Sequence, residues 1–191
     1  IPQVPEWKKK GTTEMAPLAA PRSAAAEAYR SLRTNVQYLM RERGVRSITI
    51  TSAMLGAGKT TTTANLAAAL ALAGNKVLAV SCDLRKPKLH SFFGLGNEVG
   101  LVDVLRGEVS LLDAVERTSI DNLRLLSCGP VPQDPAELLS SAAMEDLLHT
   151  LTEAADLVIF DSPPVLAVAD ALVIGPMTDG VVILADASRA T

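Results

Sequence analysis

The stretch Ala53-Met54-Leu55-Gly56-Ala57-Gly58-Lys59-Thr60 decides how this chain is read. Glycines at 56 and 58 let backbone N–H groups come closer to an anion than residues with side chains allow. Lys59 brings a point charge to phosphate oxygens, and the hydroxyl of Thr60 suits a divalent cation. The flanks fit the same chemistry. Residues 47–51, Ser-Ile-Thr-Ile-Thr, read as a strand. Residues 59–73 read as an alanine-rich helix that Gly74-Asn75 stops. The helix aims its positive N-terminal end at the same anion. Strand, glycine turn and helix in that order separate a phosphate cradle from an ordinary turn.

Working outward, the cradle is the P-loop pattern with Ala in its first position, and further strands are expected around it. Residues 77–81 are an apolar run ending at Cys82-Asp83, and 157–160 are another ending at Asp161. Strands are also expected at 123–127 and 181–185. A helix is expected at 24–43, closed by Gly44, with Tyr29, Leu32, Val36, Leu39 and Met40 on its apolar face and Glu27, Arg30 and Arg33 on a polar one. Shorter helices are expected at 101–105 and 111–117, a turn-rich loop at 130–135 leading into 136–140, and a helix at 142–152. Apolar strands alternating with helices predict an α/β fold: P-loop NTPase-like, with a mostly parallel sheet and helices on both faces. Ligands of such sheets bind beyond the carboxyl ends of the strands. The phosphate loop, Asp83 and Asp161 all fall there. An acid at the end of a buried strand is costly unless it is paired or meets a metal. Thr60, Asp83 and Asp161 are therefore the expected Mg²⁺-side groups. Gly56, Ala57, Gly58, Lys59, Thr60 and Thr61 are the expected nucleotide contacts, with Lys59, Asp83 and Asp161 in catalytic roles. Arg85 is expected to face phosphate or Asp83.

Bulk properties restrict the partners. In 191 residues, 48% are hydrophobic and 20% charged, enough for a sizeable aliphatic core. The net charge of −3 gives no basic excess to neutralise a phosphate backbone, so no nucleic-acid partner is expected. Two cysteines, Cys82 and Cys128, read as free thiols of a reducing compartment. Residues 1–22 hold Pro2, Pro5, Pro17 and Pro21 and read as a linker without helix or strand. Trp7 beside Lys8, Lys9 and Lys10 suits either a solvated run or a membrane-proximal segment. Residues 23–191 read as one catalytic domain.

Together with Glu27-Ala28-Tyr29-Arg30-Ser31-Leu32-Arg33, these motifs resemble the bacterial tyrosine kinases of capsule and exopolysaccharide synthesis. Asp83-Leu84-Arg85-Lys86-Pro87, Gly129-Pro130-Val131-Pro132, Pro135-Ala136-Glu137-Leu138-Leu139 and Asp161-Ser162-Pro163-Pro164-Val165 extend the likeness over nearly the whole chain. The resemblance implies a protein-tyrosine (auto)kinase using ATP/ADP and Mg²⁺, regulating polysaccharide chain length and export. It implies a location at the cytoplasmic face of the bacterial inner membrane, anchored through a transmembrane region outside this chain. It also implies a homo-oligomeric ring whose contacts use Glu27, Arg30 and Arg33, and an association with the polysaccharide export machinery.

The pattern departs in three places. Ser81 stands where the family has the first Asp of Asp-x-Asp, thought to activate the tyrosine hydroxyl. Losing a general base costs about 10²–10⁴ in rate, so an ATP-binding oligomerisation switch with weak catalysis is the alternative reading. Leu55 replaces a frequent Pro. Against the family pattern, the last helix and tyrosine tail are expected to be missing from this chain, and Tyr29 and Tyr38 are expected to pack. A third reading, a cell-positioning ATPase, expects a second lysine early in the loop, where Met54 stands.

Overall fold

The computed structural model describes residues 1–2 and 13–187; Trp7 and Lys8 to Lys10 lie outside them. A one-turn helix α1 (Ala16–Ala19) precedes α2 (Ala24–Arg43), which starts where the Ser23 hydroxyl accepts the Ala26 N–H at 3.1 Å and ends at Gly44 in the left-handed region. Then come β1 (Ser47–Ser52), α3 (Lys59–Ala71) and β2 (Val77–Ser81). Four short elements follow: α4 (Leu89–Phe92), α5 (Leu101–Leu105), α6 (Leu111–Ala114) and β3 (Val115–Arg117). The chain continues through β4 (Leu123–Leu126), α7 (Pro135–Leu139), α8 (Ala142–Ala154), β5 (Leu157–Asp161), α9 (Asp170–Ile174) and β6 (Gly180–Leu184).

The six strands form one sheet in the order β3-β4-β2-β5-β1-β6. All neighbours run parallel except the edge pair β3 and β4. β1, β2 and β5 are buried at every position, as expected of strands covered on both faces. One face, through Ile48, Ile50, Val77, Ala79, Leu157 and Ile159, packs against α3 and its neighbour α2. The other, through Leu78, Val80, Val158 and Phe160, packs with residues of α5, α7, α8 and α9. Alternation along each strand sends successive side chains to opposite cores. The polar residues that continue these strands are delivered to the carboxyl edge in the same alternation.

The mostly parallel α/β sheet with helices on both faces agrees with the sequence reading; four local expectations do not hold. The expected helix over 111–117 stops at Ala114, and Val115–Arg117 instead pair antiparallel with β4; β-branched Val115 and the lack of a continuing apolar face favour the strand. Residues 16–19 form a helical turn although Pro17 lies in it, because Pro at the first turn sacrifices no helical hydrogen bond. That turn is held by the Ala16 N–H donating to Asn65 Oδ1 at 2.8 Å, and Met15 and Ala16 are buried. Leu39 is exposed rather than on the packed face, and Tyr38 is 58% exposed. The short helices α4 and α9 have no counterpart in the sequence reading.

Candidate nucleotide site

The site is assembled at the carboxyl ends of β1, β5 and β2, three neighbours in the middle of the sheet. The loop after β1 turns through Gly56 (φ 80°) and Gly58 (φ 89°), both in the region that L-residues avoid. A Cβ at either glycine would meet nothing within 4 Å, so the cradle is open. The Ser52 hydroxyl donates to the Met54 carbonyl at 2.7 Å and anchors the start of the loop. Gly58 offers α3 no side-chain cap, and the first turn of α3 carries no acid. The N-terminal N–H groups of this 13-residue helix therefore remain for an anion. Lys59 is 7% exposed, Thr60 and Thr61 are half-buried, and Met54 and Leu55 stand in solvent.

Asp161 ends β5 and is 1% exposed. Leu157 and Ile159 face the α3 core, so Asp161, two residues on, points to the same side. There the Thr63 hydroxyl reaches both the Lys59 carbonyl (3.1 Å) and Asp161 Oδ1 (3.2 Å). Burial pushes the Asp161 carboxyl up to about 7; the Thr60 hydrogen bond opposes this, nearby Asp83 adds to it, and Lys59 and Thr63 oppose it. Its Oδ2 is buried with no hydrogen-bond partner among the described residues. Ser81 pairs with Asp161 across β2 and β5, and its hydroxyl is also buried without a partner.

Asp83, half-buried, begins a turn in which its Oδ1 accepts the Lys86 N–H at 3.0 Å. The structure thus brings Lys59, Thr60, Thr63, Asp83 and Asp161 to one edge. Arg85 faces neither phosphate loop nor Asp83 through a hydrogen bond. Its Nε and Nη2 donate to Asp170 Oδ2 (3.0 Å) and Oδ1 (3.2 Å), and that pairing pulls it away from the position expected of it. Asp170 and Thr63 are site residues that sequence reasoning missed. A signal existed for Asp170: a lone acid inside the apolar run 165–174 demands a charged or hydrogen-bonding partner.

The described residues contain no group of three or more His, Cys, Asp or Glu side chains that could hold a metal alone. Mg²⁺, however, is commonly held by one or two carboxylates together with water and substrate phosphates. The unsatisfied Oδ2 of Asp161, the neighbouring Thr60 hydroxyl and the open glycine cradle fit a Mg-nucleotide. Cys82 and Cys128 are buried free thiols on the opposite face of the sheet.

The candidate interface residues lie on α2. Arg30 is held within its own chain: Nε donates to Glu27 Oε2 at 2.8 Å and Nη1 to the Pro21 carbonyl at 2.8 Å. Arg33 Nε is buried without a hydrogen-bond partner among the described residues.

Comparison with known proteins agrees with this geometry. A protein-family profile described as an AAA domain matches residues 45–189. Tyrosine-protein kinase YwqD of Bacillus subtilis is 45% identical over 172 residues, covering 90% of this chain and 73% of YwqD. The chain spans only 23% of the longer putative tyrosine-protein kinase EpsB of Ralstonia solanacearum, at 37% identity over 90% of this chain. Among solved structures, the kinase domain of Escherichia coli tyrosine kinase ETK superposes with a TM-score of 0.88 and 33% identity, covering 97% of this chain and 75% of that one. The septum site-determining protein MinD of Pyrococcus horikoshii, complexed with Mg-ADP, reaches a TM-score of 0.63 at 31% identity over 73% of this chain and 57% of its own.

Proposed function

The chain belongs to the bacterial tyrosine-protein kinases built on a P-loop domain, and from that premise we propose that it transfers phosphate from Mg-ATP to protein tyrosine. One observation carries the reading. Among the described residues, a fully buried carboxylate at the end of β5 leaves Oδ2 without a hydrogen-bond partner, and the Thr60 hydroxyl at the head of α3 lies near the same carboxyl group. That arrangement is costly by itself and is repaid by a divalent cation.

In this reading the N–H groups of 56–61 and the Lys59 ammonium bind the β- and γ-phosphates of ATP. Thr60, Asp83 and Asp161 hold Mg²⁺, which when bound neutralises charge on the transferring phosphoryl group. Thr63 orients the Asp161 carboxylate by donating to Oδ1. The N-terminal dipole of α3 adds fixed positive potential at the phosphates. Catalysis is positioning and charge neutralisation, with little covalent work for the protein. The Mg-ADP held by MinD, which shares this fold, supports the choice of nucleotide.

A second reading is favoured by Ser81. Its hydroxyl is neutral, buried and without a partner among the described residues, where the family places a carboxylate. A hydroxyl there does not take the proton of an incoming tyrosine. Transfer is then slow, and nucleotide binding acts mainly through assembly of a ring by Glu27, Arg30 and Arg33. The wider role in either case is control of polysaccharide chain length and export at the cytoplasmic face of the membrane, through a membrane-spanning region outside this chain. None of the described helices is long and apolar enough to cross a bilayer.

The deciding experiment follows labelled phosphate from ATP to a tyrosine-rich peptide for the parent, Ser81→Asp and Lys59→Met. Transfer by the parent that Lys59→Met abolishes establishes the kinase. A silent parent with transfer restored by Ser81→Asp establishes the switch. Transfer unaffected by Lys59→Met would refute the site.

A further inference from the structure

The pair Arg85–Asp170 joins a fully buried carboxylate to a guanidinium that is 43% exposed. Asp170, in the first turn of α9, is fully buried, and the guanidinium grips it through both Nε and Nη2. A carboxylate removed from water needs such a partner, and the planar fork of Arg satisfies both oxygens where a Lys satisfies one. Arg85 lies two residues after Asp83, inside the turn that the Asp83 carboxylate closes onto the Lys86 N–H. Leu84 between them is buried completely. The turn is therefore fixed on one side by an apolar anchor and on the other by the ion pair.

Asp170 lies nine residues after Asp161, and the start of the segment between them is tied to β1. The Ser162 hydroxyl donates to the Ile50 carbonyl at 3.0 Å, the Thr51 hydroxyl to the Pro163 carbonyl at 2.8 Å, and the Val165 N–H to the Ser52 carbonyl at 2.9 Å. Ser52 in turn holds the phosphate loop through Met54. Hydrogen bonds thus run from the cradle to Val165, at the start of the segment after β5, and the ion pair joins the Asp83 turn to α9 at the far end of that segment.

We propose that Arg85 and Asp170 form a positioning clamp that sets the spacing of the Asp83 and Asp161 carboxylates, so that the cation bound between them is held by a pre-formed pair. Arg85 in this role is a positioning residue and not a phosphate ligand. The inference rests on the Mg-nucleotide reading of the site. Residues that orient metal ligands from outside the coordination shell typically change metal affinity by about 10–100-fold when replaced.

The test uses the full chain, a fluorescent ATP analogue and a Mg²⁺ titration, with a second series in EDTA. Asp170→Asn keeps the shape and leaves no buried charge, and Arg85→Lys keeps the charge but loses the fork. Asp170→Asn is expected to raise the half-saturating Mg²⁺ concentration by about tenfold, and Arg85→Lys by less, while Mg²⁺-free nucleotide affinity stays at the parent's value. Melting temperature without nucleotide is read in parallel. A lower melting temperature with an unchanged Mg²⁺ requirement would show a merely structural pair and overturn the clamp. Tighter Mg²⁺-free binding by Asp170→Asn would show Arg85 freed to reach phosphate, which also overturns it. A parent that binds no nucleotide would overturn the site itself, and the clamp with it.

Discussion

Replacing Asp161 by Asn should make the nucleotide-free protein more stable, and increasingly so as pH rises. The carboxyl has an ordinary value of 3.8, and burial lifts it to about 7 in the fold. Between those values the folded state keeps a proton that the unfolded chain has released. Stability therefore falls as pH rises from about 4, and the loss is fully developed above about 7. The linkage relation gives a cost of about 2 kcal/mol at pH 5 and about 4 kcal/mol at pH 8. Asn has no proton to lose. Its carbonyl can accept from Thr63 as the carboxylate does, and only its amide group faces the unpartnered side.

The gap between variant and parent should thus widen by about 2 kcal/mol between pH 5 and pH 8. Urea unfolding in EDTA, without nucleotide, at several pH values measures it. Parallel pH profiles for the two proteins would refute the reasoning, because every other titrating group is common to both. With Mg-ATP at a hundred times its dissociation constant the parent should gain about 2.7 kcal/mol. The variant should gain much less, and the order of stability at pH 8 should narrow or reverse.

Three further outcomes are expected. Gly58→Ala forces a side-chain-bearing residue to φ 89°, which should cost about 1–2 kcal/mol, read as a lower urea midpoint with an unchanged slope. Incubation with an active tyrosine kinase and ATP should place phosphate on Tyr38, which is 58% exposed, and leave Tyr29 unmodified; burial holds the Tyr29 hydroxyl inside the core and pushes its pKa up to about 12. Mass spectrometry of the tryptic peptides distinguishes the two, and a modified Tyr29 would count against the packing described. Arg30→Ala with Arg33→Ala should move an oligomer to monomer on a sizing column, and an unchanged profile would remove α2 from the interface.

What could be read in the sequence was whatever has a short-range physical cause. The glycine cradle, the strand before it and the helix after it are local, and β1, α3 and β2 fall where their patterns place them. Gly44 closes α2 at the residue expected because a left-handed cap is local chemistry. The errors lie where tertiary contacts decide. Val115–Arg117 become a strand only because β4 offers an edge to pair with. Residues 13–22 gain a helical turn because Asn65 on α3 supplies an acceptor for the Ala16 N–H. In the site, Asp83 and Asp161 could be named from their positions after apolar runs, since Asp161 ends β5 and Asp83 follows β2 by two residues. Arg85 was assigned the wrong partner, because Asp170 is 85 residues away in the chain and no local pattern joins them.

The two unpartnered oxygens at the centre of the sheet argue further. Ser81 Oγ and Asp161 Oδ2 belong to residues paired across β2 and β5, both buried and both without a hydrogen-bond partner among the described residues. A fold built only for stability would satisfy or remove them, since each such group costs about 1–3 kcal/mol. Apolar strands surround them, so the departure is local to the end of the sheet where the phosphate loop opens. Asp161 is the half of this defect that a cation removes. Ser81 is smaller than the carboxylate expected beside it, and replacing that carboxylate by a hydroxyl takes one negative charge from the edge. With two acids next to Asp161 instead of one, its carboxyl would be pushed higher still. Ser81→Asp should therefore lower apo stability at pH 8 and raise Mg²⁺ affinity, if both carboxylates face one cation. A gain in phosphate transfer without that gain in metal affinity would assign the new carboxylate to the tyrosine proton instead.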